Sequence, residues 1–489
     1  MTGPETITIS KAEYQQFLDQ KSEIEWLKHQ LAELQRLIYG SKRERFITPD
    51  PLQSTLFDLS VPEVTEKKQE EISYTRVKPE PAEKKHPLRA ELPSHLPRKD
   101  EVIEPENVPE GAKRIGEVIT EILEYEPSSI YVRRIIRPKY IVESNDEQTR
   151  IAIADLPSLP VPKGNAGASI VAHILVSKFC DHLPYYRQSK IFKRQNLHIP
   201  DSTIGGWANG SIERWFTPVY ETAKKKLLST DYLMADETPI PVLTEDKPGA
   251  THRGYHWVYY DPVNKLVCFD YRQSRGREGP KSFLQDFSGY LQSDGYSAYD
   301  NLGPPGKITH LACFAHARRK FEHALDNDRE RAEKALTLIG QLYDVEREAR
   351  DKQLSYDVIK DLRENQSVGV LKELEAWLID QEPVVLPKSA IGIAIRYTLS
   401  LWPRLKKYTE DGRLQIDNNL IENSIRPVAL GRKNYLFAGS HEGAQKAAII
   451  YSLLATCKIR GVEPYAWLKY VLETVPDYPT NQLENLLPT

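Results

Sequence analysis

The sequence predicts an α/β protein of several domains. Three observations carry that prediction. The chain has 489 residues, beyond one typical domain; five apolar, β-branched and aromatic runs lie between residues 231 and 316; and helical periodicity flanks them. Composition is that of an ordinary globular protein, 40% apolar and 28% charged with a formal net charge of −3.

Phe17, Ile24, Leu31 and Ile38 repeat every seven residues, with Leu27 and Leu34 between them. That spacing keeps one apolar seam along a helix, which predicts a short coiled coil over residues 1–46, or a helix packed within the chain. Residues 47–112 read as a linker. Nine prolines fall between residues 51 and 110 among many Glu and Lys, leaving too little apolar surface to offset ordering entropy. Alternation in "GEVITEILEYEPSSIYVRRIIRPKYIVES" predicts a β module of two or three strands within residues 113–160.

Residues 161–228 are predicted helical. Within them, "LPYYRQSKIFKRQNLHIPDSTIGGWANGSIERW" reads as two helices around a turn at "LHIP", with Asp201 or Ser202 capping the second. This is the layout of a helix-turn-helix, or of a helical hairpin that touches no DNA. Gly205 and Gly206 weaken its second helix. The strands follow as "DYLMADETPIPVL", "GYHWVYY", "KLVCFDYR", "GYLQSDGYSAY" and "ITHLACFAH", the first three as an antiparallel meander. From Ala317 to about residue 410 the periodicity turns helical again.

Several function classes are excluded. No run approaches the roughly 18 apolar residues of a membrane span, and the opening lacks a secretory pattern, so a cytoplasmic protein is expected. The four cysteines are scattered without a C-x-x-C pair, which argues against a disulfide framework or a zinc site. Charge is unevenly distributed. Six Lys or Arg face one acid between Asn423 and Arg460, and four face none between Leu183 and Pro200. Two such clusters in a near-neutral chain point to a polyanion or to solvated faces.

Three acids stand out against this pattern. Asp236 ends the apolar run "YLMA", and Asp294 follows "GYLQS" 58 residues later. Glu422 comes 128 residues after that, on a predicted helix among asparagines and cations. A carboxylate at the end of a buried strand is rigid and faces a crevice, as a metal site requires. Glu237 points to the opposite face of its strand, and Asp417 caps the helix that carries Glu422.

"MADETPIPVL", "SDGYSAYDNL", "CFAHARRKF" and "DNNLIENSIRPVALGRKNYLFAGSHEGA" resemble the motifs of bacterial transposases of insertion-sequence family 66, as do "HLPYYRQSKIF" and "GVEPYAWLKYVL". The resemblance runs from about residue 160 to 475. It implies a DDE transposase with a ribonuclease-H-like core in two parts, 229–316 and 411–475, around a helical insertion at 317–410. A tail at 476–489 follows. It makes Asp236, Asp294 and Glu422 the catalytic triad and the ligands of two Mg²⁺ or Mn²⁺ ions. The family's zinc-ribbon-like segment corresponds to residues 100–155, which contain no cysteine, so no zinc is expected and apolar packing should hold the module.

On the helix, Asn418, Glu422 and Arg426 share one face, with Asn418 orienting the carboxylate or a water and Arg426 reaching a phosphate. Pro427 should end that helix at Arg426. Arg432, Lys433, Lys190, Lys193 and Arg194 are the other candidate DNA contacts. His316 is a supporting residue near substrate or metal, or a hydrogen-bonded histidine at a strand-to-helix junction. Expected partners are terminal inverted repeats, target DNA, a second copy or larger assembly, and small accessory proteins, with nucleoid association through DNA. The alternatives are a DNA-binding relic without catalysis and a nuclease that cuts without joining.

Overall fold

The computed structural model describes residues 92–105, 111–126, 129–145, 148–244, 249–302 and 306–488. The predicted heptads and most of the predicted linker lie outside them. Four strands form the first sheet: β1 (Arg98–Val102), β2 (Lys113–Glu126), β3 (Ser129–Asn145) and β4 (Gln148–Ile153). β2 and β3 pair antiparallel along nearly their full length, and β1 and β4 both pair with β3. Ile122, Ile135 and Leu159 form a small apolar cluster in this module.

β1 corrects the reading of 47–112 as linker throughout. Its sequence, RKDEV, carries no apolar alternation. It is held instead at the edge of β3 by parallel pairing and by Arg133–Glu101 and Arg134–Asp100 ion pairs across the strands (3.7 and 3.3 Å).

Four helices follow: α1 (Ala168–Phe179), α2 (Tyr185–Arg194), α3 (Asp201–Ser211) and α4 (Thr217–Leu228), the last two joined by a π turn at Ile212–Phe216. The predicted turn between α2 and α3 is present, closed by the Ser189 hydroxyl on the Ile199 carbonyl (2.6 Å). Neither predicted cap is used as such. Pro200 is the N-cap residue, and the Asp201 carboxylate accepts the neighbouring Ser202 amide.

The second sheet comprises β5 (Tyr232–Leu243), β6 (Thr251–Asp261), β7 (Leu266–Arg272), β8 (Gly289–Gln292) and β9 (Ile308–Leu311), with the short α5 (Glu278–Phe283) between β7 and β8. The order is β7-β6-β5-β8-β9. β5, β6 and β7 form the predicted antiparallel meander, whereas β8 and β9 are parallel to β5. Helices α6 (Phe314–Ala324), α7 (Arg329–Asp351), α8 (Tyr356–Gln381), α9 (Ala390–Leu405), α10 (Asn419–Tyr435), α11 (His441–Arg460) and α12 (Pro464–Thr474) complete the chain. The final residues are packed as well, with the Trp467 indole donating to the Leu486 carbonyl (3.1 Å). Among the described residues, no helix is long and apolar enough to cross a membrane.

β7 is an edge strand, and α11 covers it. The Phe269 and Val267 amides donate to the hydroxyls of Ser452 and Thr456 (2.8 and 3.2 Å), so the exposed ladder is capped by side chains. β8 has only four residues, so it covers only the start of β5. Farther along, β5 pairs with the chain after α10, where Ala438 donates to Pro241 and accepts from Leu243 (2.8 and 2.9 Å). Between these two partners β5 is left open, and Asp236 lies in that gap.

α10 does not stop at Arg426 as the sequence reading had it; it runs through Pro427 to Tyr435. An interior proline costs about 3 kcal/mol. Burial of Ile425 and Val428 on the same helix offsets that at about 1.5–3 kcal/mol each.

His256 of β6 is wholly buried among Phe269, Tyr271 and Tyr451. Burial holds its imidazole neutral, with a pKa down to about 3. Below pH 6.5 the unfolded chain takes up a proton that the folded chain refuses, so stability falls as pH falls, by about 1.4 kcal/mol per unit. Urea unfolding should show about 2 kcal/mol more loss between pH 7 and pH 5 in the native protein than in His256→Phe.

Candidate active site

Asp236 and Asp294 are brought level by strand register. The last pair between β5 and β8 joins Met234 to Gln292, and both aspartates lie two residues beyond it. The chain leaves the sheet there. The Asp294 carboxylate accepts the Tyr296 amide (2.8 Å), while its carbonyl accepts the Tyr397 hydroxyl from α9 (2.8 Å). Gly295 makes the turn at φ +90°, and a Cβ would come within 2.7 Å of Leu401. Gly295→Ala is therefore expected to cost about 1–3 kcal/mol in thermal or urea unfolding and to displace Asp294.

Glu422 arrives from the other side, in the first turn of α10. Its helix is anchored to the strand of Asp236 through Asn418, the buried N-cap residue. The Asn418 amide donates to Cys313 Sγ (3.2 Å), and its Nδ2 donates to the Ala235 carbonyl (3.3 Å). Asp417 stands one residue before that N-cap and is not the cap the sequence reading made it; its carboxylate accepts the Asn419 amide (2.9 Å) and the Tyr343 hydroxyl (2.9 Å). Asn418 Oδ1 is buried without a protein partner.

The charges of these acids meet at Asp236. Burial, then the neighbouring Glu237, and then Asp294 and Glu422 push its carboxyl up to about 8, against the pull of the Glu237 amide on Oδ1 (2.8 Å). His316, in the first turn of α6, faces the same field. Burial lowers its pKa while Asp294 and Glu422 oppose the shift, and its Nδ1 has no hydrogen-bond partner. Among the described residues, no group of three or more His, Cys, Asp or Glu side chains is arranged to hold a metal ion by itself. The donors nevertheless suit a hard divalent cation: carboxylate oxygens in excess, an unpartnered amide oxygen, and no thiolate. Magnesium is commonly held by one or two carboxylates with water and substrate phosphate supplying the rest.

Glu237 is not an idle neighbour on the far face. It accepts from Arg275 Nε (2.8 Å) and from the Tyr299 hydroxyl (3.1 Å), and Arg275 lies over the Tyr296 ring at 4.1 Å. Sequence reasoning missed Arg275; the run "RQSRGREG" after β7 was its only signal.

The candidate DNA contacts divide into two groups. Arg426 and Lys433 are exposed on α10, but Arg432 Nη1 is committed to Thr238 Oγ1 and the Pro239 carbonyl (2.9 and 2.7 Å), clamping α10 to β5. Two other cations of that cluster are also engaged, Lys446 with Glu213 and Glu442, and Arg460 with backbone carbonyls. Lys190, Lys193 and Arg194 are exposed on α2. That helix meets α10 at Asn434, through Arg187 (3.5 Å), about 18 Å along the axis from Glu422. Asp236 and His316 thus each feel the charges of Asp294 and Glu422, Asn418 ties the Glu422 helix to β5, and the α2 cations stand apart.

Residues 163–446 match the family described as Transposase IS66 family, and residues 452–489 match the IS66 C-terminal element. Residues 26–100 match the family described as Transposase C of IS166 homeodomain. The uncharacterized protein y4jD of Sinorhizobium fredii is 34% identical over 486 residues, covering 94% of each chain. The uncharacterized protein y4qI of the same organism is 31% identical over 481 residues, covering 93% of this chain and 87% of its own.

Proposed function

Because this chain belongs to the IS66 transposase family, we propose that it is the transposase of a bacterial insertion sequence, binding its terminal inverted repeats, cutting DNA strands and joining a freed 3′-hydroxyl to target DNA. The observation that carries the reading is the shared electrostatic field of Asp236, Asp294 and Glu422. A sheet ordered β7-β6-β5-β8-β9, with an antiparallel meander followed by two parallel strands, supports a ribonuclease-H-like core.

Asp236, Asp294 and Glu422 would hold two Mg²⁺ or Mn²⁺ ions. Bound there, such ions activate a water or 3′-hydroxyl and stabilise the leaving oxygen of an in-line displacement. The residues do the rest. Asn418 fixes the Glu422 helix to the Asp236 strand and offers Oδ1 to a water. His316, whose pKa burial lowers, would stay neutral within the field of Asp294 and Glu422, with Nδ1 free of a protein partner. Arg426 and Lys433 are placed to meet phosphates, which gives affinity and not sequence choice. The amino-terminal heptads would bring copies together at paired ends, with accessory proteins and nucleoid association following from DNA binding in the cytoplasm.

The test is incubation of end-containing duplexes with and without Mg²⁺ or Mn²⁺. Metal-dependent nicks followed by joined products are expected. Bound but uncut DNA would leave a DNA-binding relic, and cutting without joining would leave a nuclease.

A further inference from the structure

A cavity of about 440 Å³ lies between α3 and α11, lined also by the ends of α1 and α10 and by Ile240 and His256 of the central sheet. It is not part of the carboxylate cluster. Small side chains create it: Gly205 and Gly206 on one wall, Gly443 and Ala444 on the other. A Cβ on Gly206 would meet nothing within 4 Å.

Two buried polar groups in the lining lack hydrogen-bond partners, and a cation beside them lacks an anion. Lys178 is half-buried, forms no ion pair among the described residues, and rests on the Tyr185 ring at 3.6 Å. Burial lowers its ammonium to about 8, so it remains mostly charged at neutral pH. The Tyr185 hydroxyl and His256 Nδ1 are both buried without hydrogen-bond partners. Unpaired buried polar groups are costly, and a cation held in a cleft without an anion is an open partner for one. Asp201, the carboxylate in the lining, is exposed and accepts the Ser202 amide.

The set asks for an anion, and the volume far exceeds that of a phosphate ion; pockets of about 300–1,000 Å³ take whole small molecules. Tyr185 and the exposed Phe437 add aromatic surface of the kind on which bases stack. α3 is the second helix of the helix-turn-helix-like pair. We propose that this cavity binds one nucleotide unit, its phosphate on Lys178 and its base against the aromatic lining. A paired base cannot enter, so a DNA strand would occupy it through a nucleotide out of the stack. A free nucleotide carries the same chemistry. Only the DNA source rests on the transposase reading.

The test uses the full chain without divalent metal, so that it does not depend on catalysis. Lys178→Met removes the cation, and Gly206→Leu fills the cavity while favouring the helix. Duplexes with and without one unpaired nucleotide are titrated across salt, and dTMP and inorganic phosphate are titrated by thermal shift. The native protein should prefer the unpaired duplex at least tenfold, both variants should lose that preference, and Lys178→Met should reduce the log–log salt slope by about 0.7–0.9. A dTMP shift abolished in both variants with DNA binding unchanged would overturn the DNA source and assign a free nucleotide. If folded variants bind every probe as the native protein does, the site itself is overturned. Loss of cleavage alone would bear only on the catalytic reading.

Discussion

Glu422→Gln and Asp236→Asn are each expected to lower metal-dependent strand cleavage and joining by at least about 10³-fold, with DNA binding retained. The substitutions keep shape and remove one negative charge from a cluster whose proposed task is to hold cations. The stability effect should go the other way. Asp236 is half-buried and raised to about 8 by desolvation and by three neighbouring acids, so at neutral pH the folded protein must hold it largely protonated, a cost the unfolded chain does not carry. Asparagine needs no proton and removes that cost, so the melting temperature of Asp236→Asn should stay level or rise. A gel of cleaved and joined products, read with a melting curve, separates this from misfolding. Full strand transfer by Glu422→Gln in Mg²⁺ would remove Glu422 from the triad.

The pattern of apolar runs disclosed most of the second sheet because its strands are bounded by turn residues and β5, β6 and β7 each carry a run buried on both faces. "DYLMADETPIPVL" and its two successors were legible as a meander for that reason. What the sequence could not disclose is how far each strand pairs. "GYLQSDGYSAY" reads as one strand, yet only Gly289–Gln292 joins the sheet, and that early exit opens the crevice at Asp236. The same limit applies to charges. Arg432 and Arg426 look alike in the chain, but packing commits one to β5 and leaves the other exposed. β1 was missed because cross-strand ion pairs hold it, and Pro427 misled because burial on both sides of it outweighs its local cost.

Arg363→Met should destabilise the fold by about 3–5 kcal/mol, the usual consequence of stripping one partner from a buried ion pair. Arg363 is 1% exposed on α8. Its Nε and Nη2 grip both oxygens of Glu346 on α7 (2.8 and 2.7 Å). Nη1 donates to the carbonyls of Tyr408 and Asp411 (2.8 and 3.0 Å), and Nη2 also to that of Leu414 (2.9 Å). A guanidinium has five N–H donors, and all five are used. Three of them hold the segment that leads directly into Asn418 and Glu422, so this side chain, with Tyr343 on Asp417, ties α7 and α8 to the helix that carries Glu422. Methionine would fill the space but leave Glu346 unpaired and three carbonyls without donors. Replacing both partners, Arg363→Met with Glu346→Leu, should recover part of the loss, because an apolar pair removes the buried charge that the single change exposes. Urea midpoints of the two single variants and the double variant measure that coupling. A single-variant cost below about 1 kcal/mol would show that the segment before Glu422 is held by other contacts.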